Sequence, residues 1–199
     1  GMSPSRTMRA AQKLYEKGAI TYMRTDSTSL SETALPEIIA AVTKEFGEKY
    51  LTVRHYKTKS KNAQEAHEAI RPTDPAKKTA GFTDDEKRLY TLIRTRTLAS
   101  QMSDAEILRT KTIANTTDRT LPHLSPTGSR LLLDGWLQLD SAARGDDVEV
   151  PAVVASDPLH LEEISSEEKQ TEPPKRYTEA GLVKELEKRG IGRPSTYAS

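Results

Sequence analysis

The apolar residues change their period near residue 104. Before that point they recur at helical spacing and are punctuated by caps. After it they alternate, as in half-buried strands. That order predicts an α+β chain, with helices first and a small antiparallel β region after them. Ser3-Pro4 supplies an N-cap and a first helical residue, Met8, Ala11, Leu14 and Tyr15 follow on one face, and Gly18 stands where a helix stops. A helix is therefore predicted from about Pro4 to Lys17. Ser29 with Glu32 fits a capping box before a second apolar face running from Leu30 to Phe46, with Pro36 near its start, either kinking the helix or moving the start to Leu35. Asn62 with Glu65 repeats the box and opens a short helix ended by Arg71-Pro72. Thr83 with Glu86 repeats it again and opens a longer helix with Leu89, Tyr90, Ile93 and Leu98 inward, ending near Met102.

Beyond residue 104, Ile107, Arg109, Lys111 and Ile113 alternate, and Asn115 to Arg119 reads as a turn. Further strands are predicted over residues 130–133, 135–139, 148–153 and 159–164. Ser125-Pro126-Thr127-Gly128 and Arg144-Gly145-Asp146-Asp147 are the separating turns. The acidic, proline-marked stretch from Ser165 to Pro174 reads as a linker. A last full helix runs from about Glu179 to Arg189, with Thr178 as N-cap and Gly190 as stop. The expected architecture is thus multidomain: a mainly helical domain over 3–103, a β region over 104–172, and the start of a second helical domain over 173–199.

Composition narrows the function classes. A net charge of +1 gives no global basic field, so nucleic-acid binding would rest on local groups. The absence of cysteine excludes disulfides and thiolate metal sites and is compatible with a reducing cytoplasm. No apolar run reaches the roughly 18 residues of a membrane span, and no signal peptide is visible. Gly1-Met2 reads as a cleavage scar, and the last residues stop inside what reads as a new helix, so both ends are expected to be cuts in a longer polypeptide.

Three stretches carry chemistry. In Tyr22-Met23-Arg24-Thr25-Asp26 a phenol, a guanidinium and a carboxylate stand two residues apart, which in an extended segment puts them on one face. A phenol, with pKa ~10, needs help to attack phosphorus, and a neighbouring guanidinium can stabilise phenolate and hold a phosphate. On spacing alone a strand tyrosine beside a surface Arg–Asp pair is the better reading, since such triplets are common and nucleophilic tyrosines rare. His67 follows a basic stretch and suits a phosphate contact or a proton carrier, or simply an exposed position on a polar helix. Arg71 reads as a phosphate clamp or a helix-end charge. Glu65, His67 and Glu68 lack the spacing of a zinc helix. Gly190-Ile191-Gly192-Arg193-Pro194-Ser195-Thr196 places two glycines, an arginine and hydroxyls before a new helix, which suits an anion site or a tight interhelical turn.

Gly18 through Thr28, Asn62 through Thr73, and Arg176 through Ser199 together resemble the type IA DNA topoisomerases, on the bacterial topoisomerase I branch. They occur in the family's order and span nearly the whole chain. Asp134-Gly135-Trp136 is the best match within the β region. Met23 in place of proline, and a single histidine in Glu65-Ala66-His67-Glu68-Ala69-Ile70-Arg71-Pro72, favour that branch.

The resemblance implies that Tyr22 attacks one DNA strand and becomes linked to the 5′-phosphate. It implies that Arg24 and His67 engage the scissile phosphate and that Asp26 orients its neighbours. Ile191, Arg193, Ser195 and Thr196 would help hold the strand. It further implies passage of a second strand, relaxation of negative supercoils without ATP, and single-stranded and negatively supercoiled DNA as partners, with no membrane. The expected setting is the cytoplasm, in association with the nucleoid. Mg²⁺ is the implied cofactor, held by a Toprim domain whose acidic cluster has no counterpart among these residues. No metal ligand is therefore assigned to this chain, and by itself it is expected to be inactive. Its β region is expected to expose an unpaired edge, since the family builds that domain from two chain segments. The competing readings are a non-catalytic single-strand DNA-binding module, with Tyr22 stacking on a base, and a tyrosine recombinase. The recombinase fits poorly because its tyrosine belongs late in the chain.

Overall fold

The computed structural model describes residues 1–56, 68–118, 120–146, 148–193 and 196. Helix α1 spans Pro4–Glu16, α2 Ala34–Phe46, α3 Asp84–Ala99 and α4 Glu179–Lys188. Strand β1 spans Glu106–Lys111 and β2 Thr127–Leu133. The mixed α+β character expected from the change of period is present. The chain divides into two compact units, residues 1–103 with 176–199, and residues 104–175.

Three helix starts form as their caps dictate. The hydroxyl of Ser3 accepts from the Arg6 amide, Thr83 from the Glu86 amide and Thr178 from the Gly181 amide. The second start differs from its prediction. Helix α2 begins at Ala34, and Ser31 accepts the Ala34 and Leu35 amides through its carbonyl. Pro36 then falls in the first turn, where its missing N–H would have no helical partner anyway, and the start lies within one residue of the Leu35 alternative. The capping box at Asn62 and Glu65 lies outside the described residues.

In the helical unit α1 packs on α3. Ala10, Ala11 and Leu14 from α1 and Leu89 and Tyr90 from α3 form one buried cluster with Ala80, Ile20 and Met23. Tyr90 is 1% exposed, yet its hydroxyl donates to Asp74 O at 3.2 Å and Lys77 O at 2.8 Å, tying the loop after Pro72 to α3. Helix α2 is joined in by the Arg94–Glu45 ion pair, whose arginine also donates to Pro75 O at 2.9 Å.

The β unit is simpler than the alternation suggests. β1 and β2 pair antiparallel from Lys111 opposite Thr127 to Glu106 opposite Leu133, with a register shift between Glu106 and Ile107. An isolated bridge joins Ser129 to Val148 and another joins Ala114 to Leu124. Residues Gly135–Gln138, predicted as a strand, form a short 3-10 turn. Residues 149–153 and 159–164, also predicted as strands, are irregular. The turn expected at 125–128 is half strand, because β2 starts at Thr127. Every residue of β1 is exposed, so the alternation marks a strand without a buried face.

Candidate active site

The Tyr22 stretch is held from both sides by residues that immediately follow His67. Ile20 bridges antiparallel to Pro72, the Thr21 amide donates to Arg71 O at 2.9 Å, and the Thr73 amide donates to Ala19 O at 3.1 Å. Thr21 Oγ1 accepts from the Arg71 amide at 2.9 Å and donates to Ala69 O at 2.8 Å. The extended run predicted here is therefore a single bridge at Ile20, after which the chain bends at Met23 and Arg24. Ile20 is 1% exposed and Met23 6%, whereas Tyr22 is 42% exposed and Arg24 is also exposed. Two buried anchors thus flank Tyr22, and its phenol and the Arg24 guanidinium reach solvent within two residues of each other. Asp26 is half-buried, in a run where the Ser27 amide donates to Thr25 Oγ1 and the Ser29 amide to Ser27 Oγ.

Ser29 is where the second cluster attaches. Its hydroxyl donates to Tyr56 O at 3.0 Å and its carbonyl accepts the Ala69 amide at 2.8 Å. The chain therefore leaves toward His67 and returns from it at one residue of the tyrosine loop. His67 itself lies outside the described residues.

Glu68 completes the attachment. It accepts from the Ser31 amide at 2.9 Å and from Arg71 Nε at 2.6 Å and Nη2 at 3.2 Å. Burial pushes the Glu68 carboxyl up, but the hydrogen bonds from Arg71 and Ser31 and the Arg71 charge hold it below its ordinary 4.5. Arg71 also donates through Nη1 to Pro72 O at 2.9 Å. Of the two readings of Arg71, the structure favours neither a clamp open to phosphate nor a solvated end charge. Its guanidinium is spent inside the protein, closing the 68–72 turn.

A third buried group pairs with Lys17, next to the end of α1. The sequence pattern casts Glu86 as the partner that reaches back in a capping box. Its side chain, 2% exposed, reaches back to the Phe82 amide, one residue before the Thr83 N-cap, at 2.9 Å, and also accepts from Lys17 Nζ at 2.9 Å, with Lys13 Nζ at 3.9 Å. The Phe82 amide first, and then Lys17, hold the Glu86 carboxyl down to about 2. Gly81 makes this burial possible. Its φ is +101°, and a Cβ there would stand 2.4 Å from Glu86 Cβ. Sequence reasoning missed Thr21 and Glu68, for which an isolated threonine and one glutamate among several give no signal. It found Glu86 as a capping residue and missed its pairing with Lys17.

In the third cluster, Gly190 and Gly192 have φ of +70° and +85°. The Ile191 amide donates to Leu186 O at 2.9 Å, and the Thr196 amide donates to Arg193 O at 2.9 Å. Ile191, Arg193 and Thr196 are exposed, and Ser195 lies outside the described residues. Helix α4, which leads into this loop, has no buried residue. Hydrogen bonds join the first cluster to the second. Among the described residues no group of three or more His, Cys, Asp or Glu could hold a metal ion. No helix is long and apolar enough to cross a membrane among the described residues.

Comparison with known proteins agrees with the motifs. A family model described as DNA topoisomerase matches residues 1–199. The chain is 48% identical to DNA topoisomerase 1 of Streptomyces coelicolor, with 100% of this chain aligned to 22% of that protein. It is 43% identical to DNA topoisomerase 1 of Helicobacter pylori, again over its whole length and 28% of the relative. In three dimensions it is similar to full-length topoisomerase I from Thermotoga maritima, with a TM-score of 0.78 and 38% identity over 100% of this chain and 33% of the other. The chain therefore spans between about a sixth and a third of the proteins it matches, and it belongs to the bacterial DNA topoisomerase I family of type IA enzymes.

Proposed function

We propose that these residues carry the nucleophile of a DNA strand-cleaving and rejoining enzyme. Tyr22 Oη attacks the phosphorus of one strand, forming a bond to the 5′-phosphate as the bond to the 3′-oxygen breaks. The displaced 3′-oxygen takes up a proton and stays as a free hydroxyl. The phosphodiester is exchanged for an aryl phosphodiester of similar energy, so the step reverses and needs no ATP. Arg24 neutralises the phosphate oxygens as charge develops on them. Asp26 orients its neighbours, His67 contacts the same phosphate, and Ile191, Arg193, Ser195 and Thr196 hold the strand. Passage of a second strand before resealing relaxes negative supercoils. Mg²⁺, where the full reaction uses it, is held by residues outside this chain.

One observation carries this reading. Tyr22 is exposed between the buried anchors Ile20 and Met23, and Arg24 is exposed just after Met23, on a loop clamped by the segment that adjoins His67. An ordinary surface tyrosine needs no such clamp. The test is the full-length polypeptide carrying Tyr22→Phe. It should bind single-stranded DNA and form no denaturant-stable adduct. If the unsubstituted full-length protein also forms no adduct and Tyr22→Ala only weakens binding, the residue stacks on a base instead.

A further inference from the structure

Tyr15 lies in the last turn of α1, seven residues before Tyr22. The two ring centroids are 5.1 Å apart and the planes are inclined at 61°. This is the edge-to-face arrangement, in which the positive rim of one ring meets the negative face of the other. Each ring is 42% exposed, so neither is a core residue.

The backbones behind the two rings are fixed. The Gly18 amide donates to Tyr15 O at 2.8 Å and the Ala19 amide to Leu14 O at 2.9 Å. Thr73 Oγ1 donates to Gly18 O at 2.6 Å, and Lys17 is paired with buried Glu86. Ile20 and Met23 are sunk in the core on either side of Tyr22. The contact is therefore made between two anchored segments. Its strength is available to select among side-chain rotamers of Tyr22.

A surface phenol has several staggered χ1 wells, and in-line attack on phosphorus needs one of them. We propose that Tyr15 is a positioning residue, whose ring, seated edge to face against the Tyr22 ring, selects the rotamer from which the Tyr22 phenol attacks. This rests on the assignment of Tyr22 as nucleophile. The ring does the positioning, so the Tyr15 hydroxyl is dispensable.

The test uses the full-length polypeptide and a 3′-labelled single-stranded oligonucleotide. The rate of denaturant-stable adduct formation is measured at saturating DNA in a single turnover. Non-covalent affinity is measured separately in the Tyr22→Phe background, which keeps both rings. Tyr15→Ala and Tyr15→Leu should each slow adduct formation about twofold to tenfold, the worth of one edge-to-face contact, with affinity unchanged. Tyr15→Phe should restore the rate. An unchanged rate in the Ala and Leu variants overturns the proposal, as does a Phe variant as slow as they are. A weakened affinity with an unchanged saturated rate also overturns it and makes Tyr15 a base-stacking surface. If the unsubstituted protein forms no adduct, the assignment of Tyr22 itself has failed.

Discussion

Glu86 is a carboxylate almost without water, kept ionised by one amide and one ammonium. Its proton is held less tightly in the folded chain, at about 2, than at the ordinary 4.5. Its contribution to stability is therefore complete above pH 4.5 and is lost as pH falls toward 2. Urea unfolding across that window should show stability declining in the parent chain, and Glu86→Gln should lack that part of the decline. An identical acid profile in the two would mean that Glu86 plays no part in it. Gly81→Ala probes the same node from the other side. The added Cβ meets Glu86 in a backbone conformation that L residues rarely adopt, so a loss of about 1–3 kcal/mol is expected in the same unfolding measurement. The sequence signals Glu86 as a capping residue, and it does turn back to the Phe82 amide beside the N-cap; the Thr-x-x-Glu pattern carries no sign that it also takes Lys17, the C-cap of α1.

At the scale of elements, the tyrosine loop owes its shape to a turn that has no regular structure of its own. Glu68 ties Ser31 to Arg71, and Arg71 closes on Pro72. Removing one partner strands the other in a half-buried place, so Glu68→Ala should cost about 1–3 kcal/mol of stability. Glu68→Gln, which keeps the acceptor for Ser31, should cost less. Equal costs would mean that the Arg71 pair alone matters.

Helices α1, α3 and α4 were legible because their caps are local. Ser3, Thr83 and Thr178 bond within three residues of themselves. The strands predicted after β2 do not form. Apolar alternation reports a possible face, but a strand exists only where a partner supplies hydrogen bonds, and partners are set by distant residues. The Tyr22 stretch shows both sides of this. Its residues stand out in the sequence as a cluster, while the bend after Ile20 depends on Arg71 and Ala69, some 50 residues away.

Across the whole molecule, the helical unit has a buried core and the β unit a two-stranded ribbon with exposed apolar residues such as Ile107, Leu108 and Leu132. Amides of α1 and α3 should therefore exchange with solvent more slowly than those of β1 and β2, and comparable protection would contradict this. The 199-residue chain, which aligns with 22% and 33% of the relatives named above, should by itself relax no supercoiled DNA, with or without Mg²⁺. The central claim is the covalent one. It is tested most directly by trapping the full-length protein on single-stranded DNA, digesting it, and mapping the peptide that carries the nucleotide. One adduct is expected, on Tyr22, through a 5′-phosphate. An adduct on any other residue, or one that persists in Tyr22→Phe, would contradict it.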